Sequence, residues 1–190
     1  MPAAKTKSKS SKLTPSTKSK RKMASAKLDE GGVTSQPRAE RPHMPGYGIS
    51  ASAEGLLPWS WAEERLVASR IYWLTTITAL GEPHVMPIWG IWVGNRFYFS
   101  TGATSTKARN LAANSKCVIA NENPDQAIIL HGDARRIENK ARIEALSPVY
   151  KAKYDFALSE EMGPVFELTP TVAFGQPHDE YAKSATRWRF

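Results

Sequence analysis

Residues 70–100 read RIYWLTTITALGEPHVMPIWGIWVGNRFYFS, the clearest strand pattern in the chain. β-Branched and aromatic residues favour strands, and two turn signals divide the run, first residues 80–83 and then the Gly94-Asn95 pair. The pattern predicts an antiparallel meander of three strands, over 70–78, 85–93 and 96–100. The middle strand is apolar on both faces, so both faces need cover. A barrel interior on one side and a subunit interface on the other would supply it.

The flanking sequence adds helices and further strands. Ser60 and Glu63 have the spacing of a capping box and predict a helix that ends near residue 69. Ser105 can cap a second helix that runs to about residue 113. A third helix is predicted over 139–154, interrupted or kinked at Pro148. Further strands are predicted over 116–121, 126–137 and 171–174.

The positive charge of the chain is confined to one end. The 190 residues include 26 Lys and Arg against 18 Asp and Glu, and nine of the basic residues lie in the first 28, which hold no acidic residue. This Lys- and Ser-rich segment has too little apolar surface to offset the entropy of ordering it. We therefore predict a disordered basic tail over 1–45 and one folded domain over 56–190. Because no folded basic face accompanies the tail, nucleic acid is expected only as a non-specific contact of the tail.

Cysteine usage and hydropathy bear on the compartment. The single Cys117 cannot form an intramolecular disulfide and fits a reducing compartment. No apolar run is long enough to cross a bilayer, and the first residues lack the apolar segment of a secretory signal. The sequence therefore predicts a cytoplasmic protein without a membrane partner.

Hydroxyls, two cations and an amide collect where the third predicted strand leads into the second predicted helix. They are Thr101, Ser105, Lys107, Arg109 and Asn110. The first N–H groups of a helix are unpaired and lie at the positive end of its dipole, which favours an anion. A lysine ammonium in the first turn can reach a phosphate there, whereas Arg109, two residues further on, does not share its face. The pattern is typical both of a phosphate cradle and of an ordinary capped helix with solvated charges.

The order of these segments resembles the pyridoxamine 5′-phosphate oxidase-like superfamily, and within it the flavin- or deazaflavin-dependent oxidoreductases. The resemblance covers residues 59–190 and rests on residues 71–76, 81–89, 98–101 and 105–111. It implies a β-barrel with flanking helices (α+β), namely a six-stranded antiparallel split barrel of the FMN-binding type. It also implies a homodimer with two cofactor sites at the subunit interface. The implied cofactor is FMN or, alternatively, the deazaflavin coenzyme F420.

The resemblance also implies roles for individual residues. Val85, Met86 and Pro87 would line the isoalloxazine ring. The phosphate and ribityl chain would be held by Thr101, Ser105, Lys107 and Asn110, with Arg109 beside them. Trp188 and Arg189 would approach the cofactor from the C-terminus, in their own subunit or in the partner. No metal is implied.

The implied activity is that of an oxidoreductase that transfers hydride or electrons to a small conjugated substrate. No catalytic side chain is assigned, because the cofactor carries this chemistry and the protein supplies binding and orientation. The six tryptophans suggest that the substrate stacks between aromatic rings such as Trp89, Trp92 and Trp188. No counterpart of the C-terminal substrate-binding motif of true pyridoxamine phosphate oxidases is found, so vitamin B6 oxidation is not expected. Two alternatives stay open: a flavin- or tetrapyrrole-binding or sensing protein without turnover, and a nucleic-acid-associated protein driven by its tail.

Overall fold

The structure, a computed structural model, describes residues 36–190. Within them it has an antiparallel sheet of nine strands with flanking helices. The strands are β1 (Arg38–Glu40), β2 (Tyr72–Ile77), β3 (Pro83–Ile88), β4 (Gly90–Val93), β5 (Arg96–Ser100), β6 (Lys116–Asn121), β7 (Gln126–Arg136), β8 (Val165–Pro177) and β9 (Thr186–Arg189). The helices are α1 (Trp59–Ala68), α2 (Thr106–Ala113), α3 (Lys140–Tyr154) and α4 (Tyr181–Ser184), with a 3₁₀ turn at Glu160–Met162.

Pairing runs in the order β1-β9-β8-β7-β6-β2-β3, and β5 joins β4 to β8. The 13-residue strand β8 pairs with three neighbouring strands. Its residues 165–168 pair with β5, residues 172–175 pair with β9, and nearly its whole length pairs with β7. The strand predicted over 171–174 is therefore one part of a longer element, and β9 was not predicted.

The predicted meander is present, with one correction in its middle strand. The hairpin between β4 and β5 turns at Gly94 and Asn95, both with φ 58°, as a two-residue turn of this hand requires. The predicted strand over 85–93 is instead divided at Trp89, because β3 pairs with β2 whereas β4 pairs with β5. Gly90 stands just after the break, where a Cβ would lie 2.3 Å from the ring of Phe97. A side chain at this position would therefore collide with the buried Phe97 ring and with Tyr98 O, which would lie 2.9 Å from the Cβ.

The predicted capping box of the first helix and the predicted interruption of the third helix are wrong. The N-cap of α1 is Pro58, and Glu63 accepts a hydrogen bond from Trp92 Nε1 (3.3 Å) instead of closing a capping box. Helix α3 runs without interruption through Pro148. A proline removes one backbone N–H from a helix, and here the loss is offset by the apolar side of α3, which packs on β4, β5 and β8. The cap at Ser105 is confirmed, since its Oγ accepts a hydrogen bond from the Ala108 N–H (3.2 Å).

The predicted tail lies largely outside the described residues, which begin at 36. In the last part of the predicted tail the structure differs from the prediction, because Arg38–Glu40 form β1, which is paired with β9. Glu40 Oε1 accepts from Arg189 Nε (2.5 Å) and forms an ion pair with Arg187, whose Nε lies 2.8 Å away. The Arg41 guanidinium donates to three backbone carbonyls, those of Ser52, Glu54 and Ala185. A boundary at residue 45 is therefore too late, since this segment is held by partners remote in sequence.

Two apolar clusters hold the described residues together. The larger lies on the inner faces of the sheet and under α1, and its fully buried rings include Tyr72, Phe97, Phe99 and Trp188. The smaller lies between α3 and the outer side of β4, β5 and β8. The break after β3 thus gives β4 cover on both faces, Ile91 towards α3 and Trp92 towards the larger cluster. The same break leaves the outer side of β2 and β3 uncovered by the other described residues.

Candidate functional site

A pocket of about 460 Å³ opens where β3 and β5 end, beside the start of α2 and the middle of α3. This size is typical of sites for small ligands and cofactors. Polar residues line one part of the wall, and aliphatic and aromatic residues line the rest. The complete lining is Ile71, Pro87, Ile88, Trp89, Ser100, Thr101, Lys107, Tyr150 and Met162.

The structure brings together the two segments that the sequence singled out. Pro87 comes from β3, and Thr101 and Lys107 come from the loop after β5 and from α2. Ser105 adjoins them, since its Oγ lies 3.1 Å from Thr101 Oγ1. Val85 and Met86 precede Pro87 on the same strand, and their side chains are 49% and 42% exposed. Residues of β3 and the start of α2 therefore share one pocket or its rim.

The start of α2 has the donors that an anion needs. The Ala108 N–H donates to Ser105 Oγ and is therefore not free to bind a ligand. Among residues 36–190, the backbone N–H groups of Thr106 and Lys107 have no hydrogen-bond acceptor, and the half-buried Lys107 ammonium has no acidic partner. Two free N–H groups at a helix N-terminus and one cation would together bind a phosphate or carboxylate. These donors lie where the sequence predicts the phosphate cradle, with Lys107 among them.

Two other predicted residues of the cradle point elsewhere. Arg109 is exposed, and its guanidinium donates to Thr104 O and to Thr106 Oγ1 (3.2 Å), folding back on the start of its own helix. Asn110 is buried, and its Nδ2 donates to the buried Thr76 Oγ1 on β2 (3.0 Å). Neither residue lines the pocket. Asn110 holds α2 against the sheet and so positions the helix N-terminus.

The C-terminal residues also lie outside the lining of this pocket. Trp188 is fully buried, and its ring meets that of Trp59 edge-on at 5.3 Å. Arg189 is in the ion pair with Glu40 that joins β9 to β1. Of the tryptophans expected to stack on a substrate, Trp89 lines the pocket, whereas Trp92 is 6% exposed in the core. Within one chain, therefore, the C-terminus stabilises the fold and does not reach the site.

Sequence reasoning missed the wall that α3 contributes. Tyr150 lines the pocket although it is only 2% exposed, and burial, followed by the nearby Tyr154, raises its pKa to about 12. The Tyr150 ring lies 4.8 Å from that of Tyr154, which in turn stacks on Trp89 at 5.0 Å. Tyr150 and Tyr154 are one helical turn apart, a spacing that signals a shared face. Nothing local indicated which element that face would meet.

A buried lysine holds this wall in place. Lys153 Nζ donates to the Tyr72 hydroxyl (2.7 Å) and to Gly90 O (3.2 Å). Burial, and secondarily the charge of Arg70, lowers its pKa to about 8. Among residues 36–190 no carboxylate forms an ion pair with it. The contact fastens α3 to the break between β3 and β4, next to Trp89.

Other chemistry is not visible in the described part of the chain. There, His, Cys, Asp and Glu side chains do not gather in groups of three that could hold a metal ion. Burial raises the pKa of the Cys117 thiol to about 12, so this residue is a poor nucleophile. Over residues 36–190, no helix combines the length and the hydropathy needed to cross a bilayer.

Known proteins resemble this chain in sequence over one region and in fold. The family model described as pyridoxamine 5′-phosphate oxidase matches residues 62–176. The fold is similar to that of the conserved hypothetical protein Rv2991 from Mycobacterium tuberculosis, with a TM-score of 0.58, 18% identity and coverage of 67% of this chain and 89% of that one.

Two further solved structures share the fold. General Stress Protein 26 from Bacillus anthracis has a TM-score of 0.52 and 13% identity, covering 61% of this chain and 91% of its own. HupZ from Group A Streptococcus has a TM-score of 0.51 and 16% identity, covering 65% and 95%. At these identities the likeness concerns the fold alone. No curated protein matches the sequence.

Proposed function

Because the chain belongs to the pyridoxamine 5′-phosphate oxidase family, we propose that it is an oxidoreductase that binds FMN, or alternatively the deazaflavin coenzyme F420, in this pocket. One observation carries the proposal. The free N–H groups of Thr106 and Lys107 and the unpaired Lys107 ammonium lie at a pocket whose wall, apart from the hydroxyls of Ser100 and Thr101, is apolar and aromatic. A ligand with a phosphate and a planar conjugated ring matches both parts of that wall.

The residues present fit such a cofactor. Lys107 and the start of α2 would hold the phosphate, and the hydroxyls of Thr101 and Ser105 lie beside them. Pro87 and Trp89 would contact the ring, with Val85 and Met86 on the same strand. A bound flavin or deazaflavin supplies the hydride chemistry. The protein would orient the ring and keep water from it, and a small conjugated substrate would stack against the same aromatic wall.

The proposed architecture is a six-stranded split barrel. Strands β3 and β4 follow one another with only Trp89 between them, and they pair with β2 and β5 respectively. Counted as one bent strand, they join the two ends of the series β2, β6, β7, β8 and β5. That arrangement supports closure of the sheet into a barrel.

The proposed assembly is a homodimer formed through the outer side of β2 and β3. Directly opposed residues of antiparallel strands share a face, and Trp73 lies opposite Pro87 in this pair. Ile71, Trp73, Val85 and Trp89 are 39–49% exposed, and these alternate positions form one apolar surface. Exposed apolar patches of this kind mark interaction sites. A second copy would cover the patch, which adjoins the pocket at Ile71 and Trp89.

The deciding experiment uses the purified full-length protein. Its absorption spectrum is recorded, any ligand released on denaturation is identified by mass spectrometry, and FMN and coenzyme F420 are then titrated separately. We expect one of them to bind, and Lys107→Met to weaken binding about tenfold or more, since a hydrogen bond to a charged group contributes roughly 1.5–3 kcal/mol. Lys183→Met, which removes an exposed charge outside the pocket, is the matched control.

Two outcomes would count against the proposal. A protein that is purified without a bound ligand and binds neither FMN nor coenzyme F420 would overturn the assignment of the pocket. A protein that binds a cofactor but never transfers hydride or electrons to any test acceptor would support the binding or sensing alternative instead.

A further inference from the structure

The polar groups on the pocket wall divide into those that have partners in the protein and those that do not. Ser100 Oγ donates to Gly163 O (3.3 Å), and Thr101 Oγ1 shares a hydrogen bond with Ser105 Oγ. The Lys107 ammonium and the Tyr150 hydroxyl have no partner among residues 36–190. Among the described residues, the pocket therefore presents one unpaired cation and one unpaired hydroxyl.

Tyr150 is an exception among the buried tyrosines. Tyr72 donates to Ser69 O (2.8 Å), Tyr154 donates to Gly90 O (2.8 Å), and Tyr98 accepts from the Arg142 guanidinium (3.2 Å). Each of these phenols therefore has a hydrogen bond. A buried hydroxyl without a partner costs free energy. The Tyr150 hydroxyl is unpaired within a side chain that is 98% enclosed, yet its oxygen is not sealed off by protein.

The position of Tyr150 connects this hydroxyl with the ring-binding part of the pocket. Its ring belongs to the aromatic series that continues through Tyr154 to Trp89. The polar groups at the start of α2 come instead from α2 itself and from the loop between β5 and α2. Because burial raises the pKa of Tyr150 to about 12, the phenol stays protonated and is a donor throughout the neutral range.

We propose that the Tyr150 hydroxyl donates a hydrogen bond to an acceptor atom, a carbonyl oxygen or a ring nitrogen, on the planar ring system bound in the pocket. It therefore acts on the ring and not on the phosphate, and it selects ligands that carry an acceptor there. This inference rests on the proposed function, which supplies the ring. A site built to hydrogen-bond its ligand rejects analogues that lack the partner group.

The test compares two ligands that differ in one group, and two variants that each lack one polar side-chain group. FMN and riboflavin carry the same ring and differ in the phosphate, so they separate contacts to the ring from contacts to the phosphate. Tyr150→Phe removes the hydroxyl and keeps the ring that packs on Tyr154. Dissociation constants are measured by fluorescence for the wild-type protein, Tyr150→Phe and Lys107→Met, with the exposed Tyr47→Phe as a control outside the pocket.

Tyr150→Phe is expected to weaken FMN and riboflavin by the same factor, about two- to tenfold, the usual range for one neutral hydrogen bond. Its bound flavin should also show shifted visible absorption bands, which a purely structural role would not cause. Lys107→Met should weaken FMN and leave riboflavin unchanged. If the deazaflavin is the ligand, coenzyme F420 and its chromophore without the phosphate replace the pair.

Three distinguishable outcomes would overturn either the proposed function or the inference about Tyr150. Wild-type protein that binds neither FMN nor coenzyme F420 removes the proposed function itself. A Tyr150→Phe protein that is folded by circular dichroism and binds both members of the pair as the wild type does removes the inference alone. A Tyr150→Phe protein that loses affinity for FMN but not for riboflavin would assign the hydroxyl to the phosphate, contrary to the inference.

Discussion

The buried Lys153 makes the stability of the fold depend on pH in a direction that can be calculated. Burial lowers its pKa from 10.5 to about 8 in the folded protein. Between these two values the unfolded chain binds more protons than the folded chain, so the free energy of unfolding rises with pH. Below about pH 8 the penalty of the buried charge is fully present. Above about pH 10.5 it is gone.

The magnitude follows from the shift in pKa. Lowering the pKa from 10.5 to about 8 corresponds to roughly 3–4 kcal/mol, because a tenfold change in an acid dissociation constant is about 1.4 kcal/mol. Lys153 keeps part of its side chain in contact with solvent, which screens the charge, so we expect about 1–2 kcal/mol. Lys153→Met retains the aliphatic stem. It leaves neither former acceptor unpaired, because Tyr72 donates to Ser69 O and Gly90 O accepts from Tyr154.

Lys153→Met should therefore be as stable as the wild type at pH 7 or more stable by about 1–2 kcal/mol. The advantage should vanish between about pH 8 and 10.5. The assay is urea denaturation of both proteins across this range, with the exposed Lys151→Met on the same helix as control. Tyrosines of the unfolded chain begin to ionise near the upper limit in both proteins, and taking the difference between the two proteins removes this shared contribution. A difference that does not change with pH, or a variant less stable by more than about 1 kcal/mol at pH 7, would refute the reasoning.

Two further predictions concern the apolar surface and the position of α2. Trp73→Glu should convert a dimer into a monomer in size-exclusion chromatography with light scattering, because it puts a charge at the centre of the exposed face of β2 and β3. Tyr47→Glu, exposed elsewhere, should leave the dimer intact, and a dimer that survives Trp73→Glu would assign the interface to another surface. Asn110→Ala should lower the free energy of unfolding by about 1–2 kcal/mol, because it leaves Thr76 Oγ1 without its donor. FMN affinity well below the melting temperature should stay near that of the wild type, and lost affinity at unchanged stability would instead make Asn110 a ligand contact.

The elements that could be predicted from the sequence are those whose signals are local. The hairpin at Gly94 and Asn95 depends on residues that tolerate positive φ, and the start of α2 depends on a side-chain cap at Ser105. The strand over 116–121 has the predicted bounds, since its alternation is complete within six residues. The same local chemistry placed Thr101 and Lys107 at one site, because few residues separate them.

The directions of the remaining side chains depend on long-range packing. The break at Trp89 arises because two stretches of one apolar run find different partner strands, which periodicity cannot distinguish. Asn110 and Trp188 have the residue types of a binding site, yet one bonds a buried hydroxyl on β2 and the other fills the core. Tyr150 reaches the pocket because α3 packs across β4, β5 and β8. Each of these outcomes depends on contacts between residues far apart in the chain, and such contacts leave no local pattern in a single sequence.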